Sequence, residues 1–61
     1  MPKGFTEREK ELIRKKLYTE GTRLFGQYGV QKTTVDEIAK AAGISKGSFY
    51  GFYDSKEELF F

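Results

Sequence analysis

The side chains best suited to hold a ligand are concentrated in one short stretch. Lys46, Gly47, Tyr50 and Gly51 share one side of a helical wheel, with Ser45 just before them and Lys56 just after. A lysine ammonium close to a helix start, two bare glycines and a phenolic hydroxyl form a surface for phosphate oxygens and base edges. Phe49 and Phe52 fall on the opposite side and are expected in the core. The outer side itself carries no acid, and Asp36, Glu37 and Asp54, the nearest acids in sequence, are assigned to helix starts, where the dipole favours a carboxylate.

The chemistry that is missing narrows the reading further. The chain has no histidine and no cysteine. It also has no glycine-rich phosphate loop and no carboxylate pair with a pocket to serve it, so an enzyme, a metal centre or a bound cofactor is not expected. Cysteine gives no sign of an oxidising compartment, and no apolar run suggests a leader or a membrane span, so a cytoplasmic protein with no membrane partner is expected. The net charge is only +2, with an isoelectric point near 9.0. The cations are unevenly placed, with Lys3, Arg8, Lys10, Arg14, Lys15 and Lys16 facing only Glu7, Glu9 and Glu11 in the first sixteen residues. This excess fits a nucleic-acid partner and equally a solvated helix face of mixed charge.

The elements that must position these groups are announced by three repeats of one start signal. Thr6 to Glu9, Thr34 to Glu37 and Ser55 to Glu58 each place a hydroxyl residue three positions before a glutamate, the pattern of a capping box. A first helix over 7–28 follows from Ile13, Leu17, Leu24 and Tyr28, flanked by Leu12 and Phe25. Gly21 lies on that apolar stripe, where it implies close approach of another backbone, and Gly29 supplies a left-handed cap. A second helix is expected over 35–42, with Ile38, Ala39 and Ala42 inward. Ser45 then caps a third over 46–52, leaving Gly43, Ile44 and Ser45 as the connection, with Ile44 an apolar plug. Ala39, Ala42 and Gly43 are read as the small residues that let the short helices cross closely. A fourth helix starts at about 55 and reaches Phe60 and Phe61, whose rings have no evident internal partner.

The fold expected is therefore all-α: a three-helix helix-turn-helix domain, homeodomain-like, plus the start of a fourth, connecting helix, with all 61 residues in one domain. A chain of this length buries only about 60% of its unfolded surface, so a missing partner domain is a natural source of added stability. The exposed aromatics at the end leave one rival function, a helical interaction module docking through Phe60 and Phe61.

The run Thr33-Thr34-Val35-Asp36-Glu37-Ile38-Ala39-Lys40-Ala41-Ala42-Gly43-Ile44-Ser45-Lys46-Gly47-Ser48-Phe49-Tyr50, followed by Tyr53-Asp54-Ser55-Lys56-Glu57-Glu58-Leu59, resembles the N-terminal DNA-binding domain of TetR-family transcriptional regulators. Leu24-Phe25 and Tyr28-Gly29-Val30 resemble the end of that family's first helix. The resemblance implies sequence-specific binding of double-stranded DNA as the operator-reading head of a regulator, usually a ligand-responsive repressor. It implies a homodimer whose heads occupy successive major grooves of a palindromic operator, and a small-molecule inducer held by a C-terminal ligand-binding and dimerisation domain absent from this sequence. Carried over by position, Thr34, Ser45, Tyr50 and Lys56 would hold phosphates. Lys46, Gly47 and Ser48 would lie at or near base edges, and Phe49 and Tyr53 would be core. Gly51, Phe52 and Asp54 depart from the aromatic, histidine or basic residues common at those positions, and Glu20 and Thr22 replace apolar ones. Residues 1–11 look like a member-specific extension, read as a lengthening of the first helix on the strength of the Thr6 cap rather than as a disordered basic arm.

Overall fold

The computed structural model describes residues 4–60, the backbone alone at Phe60, and within them four helices follow in order: α1 (Glu7–Tyr28), α2 (Val35–Ala42), α3 (Lys46–Phe49) and α4 (Glu57–Phe60). Two of the three expected capping boxes close. The Thr6 hydroxyl accepts from the Glu9 amide at 3.1 Å while the Glu9 carboxylate accepts from the Thr6 amide at 2.9 Å. Thr34 and Glu37 repeat the arrangement at 3.1 and 3.0 Å. Each box satisfies amides that a helix start leaves without partners, which fixes where α1 and α2 begin. The extension therefore joins α1 as a helix from Glu7 onward.

The third box does not close as expected. The Glu58 carboxylate reaches past Ser55 to the Asp54 amide at 3.2 Å, and the Glu58 amide donates to the Ser55 carbonyl. The α4 helix thus starts at Glu57 rather than near 55, and the acids of its first turn are Glu57 and Glu58, not Asp54. The third helix is also shorter than expected, ending at Phe49 instead of 52. Beyond it the ladder tightens: Gly51 donates to the Ser48 carbonyl at 3.0 Å and Phe52 to the Phe49 carbonyl at 2.9 Å, both three residues back. A tightened last turn is the usual way for a helix end to satisfy its carbonyls without a dedicated cap.

The helices meet in one core. Leu17, Leu24 and Phe25 of α1, Ile38, Ala39 and Ala42 of α2, Phe49 of α3 and Leu59 of α4 are all buried, with Ile13, Val30, Ile44, Phe52 and Tyr53 packed against them. The α1 helix is the platform: α2 and α4 both pack on it, and α3 is held through α2. Leu12 and Tyr28, expected on or beside the α1 stripe, are exposed instead. A stripe drawn over the whole of α1 overreaches, because the short partners cover only its middle.

Two glycine expectations also change. Gly21 is buried, but its neighbour is a side chain and not a backbone: a Cβ built there would stand 2.7 Å from Leu59 Cδ1 and 3.7 Å from Ile38 Cγ2. Gly29 has φ 90° and ψ 153°, so it ends α1 in an extended, glycine-only region rather than in a left-handed turn. Gly43 is the left-handed cap, with φ 80° and ψ 26°. Its amide donates to the Lys40 carbonyl at 3.1 Å and the Ile44 amide to Ala39 at 2.9 Å, a doubly bonded stop that turns the chain into α3. Gly43 is exposed with nothing near its missing Cβ, so close crossing rests on Ala39 and Ala42 alone.

One buried polar residue escaped the sequence reading. Thr33 is fully buried, and its hydroxyl donates to the Gly29 carbonyl at 2.8 Å and approaches the Leu24 carbonyl at 3.3 Å. It occupies the connection between α1 and α2 and ties that loop back to the end of α1.

The α1 face can be tested with two leucines. Leu17→Ala should cost about 2–5 kcal/mol because it empties a filled core position. Leu12→Ala, on exposed surface, should stay within about 0.5 kcal/mol. Urea unfolding of the two variants checks this, and equal losses would mean that a different face of α1 is buried.

Candidate nucleic-acid interface

The α3 helix exposes its candidate residues because one anchor turns the opposite side inward. Phe49 is wholly buried. At about 100° per residue the direction opposite Phe49 points along Gly47 and the following Gly51, with Lys46 and Tyr50 on one flank and Ser48 on the other. Lys46, Gly47, Tyr50 and Gly51 are exposed as expected, and Ser48 is half-buried. Phe52, expected as core, is only half-buried beside the Phe5 ring, whose centroid lies 6.1 Å away. Tyr53 is likewise half-buried, its ring 5.9 Å from Phe49.

The start of α3 is built by two serines. The Ser45 hydroxyl accepts from the Ser48 amide at 3.1 Å and donates to the Ser48 hydroxyl at 3.0 Å. That leaves the Ser48 proton available for an outside acceptor. Tyr50 stands edge-on to Phe49, at 5.5 Å and 88°, which aims its half-exposed ring away from the core. Among the described residues neither the Tyr50 hydroxyl nor the Lys46 ammonium has a hydrogen-bond partner, so both donors are available to a ligand.

A shallow open depression of about 370 Å³ brings four of the seven candidates together, with Thr34, Lys46, Tyr50 and Lys56 on its walls. Ser45, Gly47 and Ser48 are not on it. Two features of this depression could not be read beforehand. Asp36, Asp54 and Glu57 also line it, so the flank beside α3 is edged with carboxylates although α3 has none of its own. And the Lys56 ammonium is already in use, donating to the Thr33 carbonyl at 2.7 Å and reaching the Gln31 carbonyl at 3.5 Å. Lys56 thereby ties the approach to α4 to the loop before α2. A lysine has three donors, so at least one N–H of Lys56 stays free. The Thr34 hydroxyl is similarly engaged, accepting from the Glu37 amide and donating to its carboxylate at 3.2 Å.

On the other flank of α3 only Ser48 was expected. Ser48, Gly51 and Phe52 border a second depression of about 350 Å³ with Gly4, Phe5, Lys10 and Arg14, and none of its lining residues is acidic. A signal did exist, the cluster of cations early in α1, but wheel positions on one helix cannot say which neighbouring helix a side chain will meet.

The described residues contain no group of three or more histidine, cysteine or acidic side chains placed to hold a metal ion, and no helix among them is long and apolar enough to cross a membrane. Phe61 and the side chain of Phe60, on which the rival docking module rests, lie outside the described residues.

The family model for bacterial regulatory proteins of the tetR family matches residues 17–61. Among curated relatives, the uncharacterized HTH-type transcriptional regulator YhgD of Bacillus subtilis is 50% identical over 48 residues, covering 77% of this chain and 25% of the relative. The HTH-type transcriptional regulator AcrR of Shigella flexneri is 40% identical over 55 residues, covering 90% of this chain and 26% of the relative. A crystal structure of Thermus thermophilus FadR, described as a TetR-family transcriptional repressor in complex with lauroyl-CoA, superposes with a TM-score of 0.72 at 41% identity, over 75% of this chain and 24% of that one. The chain spans about a quarter of the length of these proteins.

Because Ser45 is the cap on which α3 depends, Ser45→Ala should destabilise the domain by about 1 kcal/mol and Ser45→Gly by only a few tenths. Urea unfolding, with amide exchange followed at Ser48, measures both. A loss at Ser45→Ala that left Ser48 exchange unchanged would show that the cap does not hold α3.

Proposed function

The chain belongs to the TetR family of bacterial regulatory proteins, and on that footing we propose that it is the operator-reading head of a transcriptional regulator, inserting α3 into the major groove of double-stranded DNA. The observation that carries this reading is the polarity of α3: Phe49 is sunk in the core while Lys46, Gly47 and Tyr50 face solvent with their donors uncommitted. A helix presented in this way, after a short turn closed by Gly43, is the part of a helix-turn-helix that enters a groove.

The roles of the seven residues follow from what each side chain has left to give. Lys46 and Ser48 have free donors at the start of α3 and reach base edges, with Gly47 between them letting the backbone come close. Tyr50 donates its phenol to a phosphate. Ser45 and Thr34 are spent mainly on caps, so at those sites the adjoining amides and a rotated hydroxyl meet the backbone. Lys56 both clamps the loop at Thr33 and directs its remaining N–H at a phosphate.

The regulator as a whole is proposed to be a cytoplasmic homodimer on a palindromic operator. It responds to a small molecule held outside this domain and most simply acts as a repressor. Support comes from the relatives: each is more than three times as long as this chain, and the Thermus one is described as a repressor in complex with lauroyl-CoA. Two tethered heads would also raise the affinity of one, by supplying the second at high effective concentration.

Selection from a random duplex pool with the intact protein tests this, and the expected result is an enriched inverted repeat. Tyr50→Ala should weaken binding to all duplexes alike. Lys46→Gln should both change the base preference and lower the slope of log affinity against log salt by about 0.9. A pool that enriches no repeat, with a slope near zero, would overturn the reading in favour of an apolar docking surface.

A further inference from the structure

The geometry points to a second DNA-contact rim on α1, in which Lys10 and Arg14 grip the phosphodiester backbone on the side of α3 opposite to Thr34, Tyr50 and Lys56. The inference rests on the duplex-binding reading above and adds to it a contact surface outside the helix-turn-helix unit.

Two depressions flank α3, and their charges differ. The flank toward α4 holds Lys46 and Lys56 among Asp36, Asp54 and Glu57, and Lys56 already spends an N–H on the Thr33 carbonyl at 2.7 Å. Three carboxylates against two ammonium groups make that side a weak attractor for a polyanion. The flank toward α1 holds Lys10 and Arg14 with Ser48, Gly51 and Phe52, and no acid lines it. The major groove is about 12 Å wide, and a helix lying in it has a phosphate backbone on either side. The electropositive wall of this reading head is therefore the one built by α1.

Arg14 is also held in place. Its guanidinium carbon lies 5.9 Å from the centre of the Phe52 ring, and the Phe5 ring packs on the same Phe52 at 6.1 Å. A guanidinium resting on an aromatic ring keeps its donors free for a phosphate while its reach is fixed. No ion pair involves Arg14 among the described residues. Lys10 meets only Glu7, at 3.5 Å and with the Glu7 side chain 93% exposed, an attachment that a phosphate can displace. Arg14 also borders a further open cleft with Arg8, Lys15 and Tyr18, and Glu11 is its one acid. The cationic wall thus continues along α1 away from the groove.

The test uses the intact protein and a fluorescein-labelled duplex of about 30 base pairs of random sequence, with affinity read by anisotropy across a salt series. Lys10→Gln and Arg14→Gln should each lower the slope of log affinity against log salt by about 0.9, equivalent to about eightfold weaker binding near 0.1 M salt. Arg14→Lys, which keeps the charge and loses the planar stack, should restore most of the slope. If Arg14→Gln weakens binding with no change of slope, Arg14 acts through Phe52 packing and the rim is refuted. If Lys46→Gln lowers the slope while neither Lys10→Gln nor Arg14→Gln does, the rim is wrong and the reading head stands. If the unaltered protein shows no salt dependence, the duplex reading fails first.

Discussion

Everything this domain presents to a partner hangs on the burial of one aromatic side chain. The α3 helix has a single turn, too short to persist in water on its own propensity. Phe49 holds it by sinking into the common core, and that one ring decides which way the remaining residues of the turn point. The Ser45 cap and the doubly bonded stop at Gly43 set where the turn begins, but neither would orient it without the anchor. Lys46, Gly47 and Tyr50 face outward as the geometric complement of Phe49 facing in.

A second layer of constraint is polar. Three helix ends converge on the segment from Gly29 to Thr34, and its carbonyls are partnered by one side chain of its own and one from the approach to α4. The Thr33 hydroxyl serves Gly29 and Leu24, and the Lys56 ammonium serves Thr33 and Gln31. Such bonds contribute about 1 kcal/mol each, yet leaving a buried carbonyl bare costs more than that, so they specify the loop more than they strengthen it. The consequence reaches the candidate surface, since the same loop delivers Thr34 and the first turn of α2.

The helices with side-chain caps were legible in the sequence, and those ended by longer-range contacts were not. Thr6, Thr34 and Ser45 fixed three starts because a hydroxyl and an amide three residues apart form a local unit that needs no tertiary information. Ser55 carried the same pattern and misled, because Glu58 found a better partner in the Asp54 amide. The end of α3 was overrun for a related reason: Phe52 looked inward on the wheel, but Phe5 and Arg14 cover it from the side. In the candidate site, the exposure of Lys46, Gly47 and Tyr50 followed from periodicity alone. The carboxylates beside them, the engagement of Lys56 and the wall of α1 came from residues distant in sequence, which no local pattern joins. Membership of the TetR family, suggested by the run from Thr33 to Leu59, is borne out across residues 17–61.

The two glycines on the outer line of α3 are not equivalent, and the difference bears on which of them could carry a side chain. A Cβ at Gly47 would have only the Ser45 hydroxyl oxygen near it, at 4.0 Å, whereas one at Gly51 would stand 3.2 Å from the Ser48 carbonyl oxygen. A Cβ at the first position enters open space, whereas at the second the Ser48 carbonyl must give way by a few tenths of an ångström. The outer line of α3 is therefore open to a larger residue at Gly47 and closed to one at Gly51.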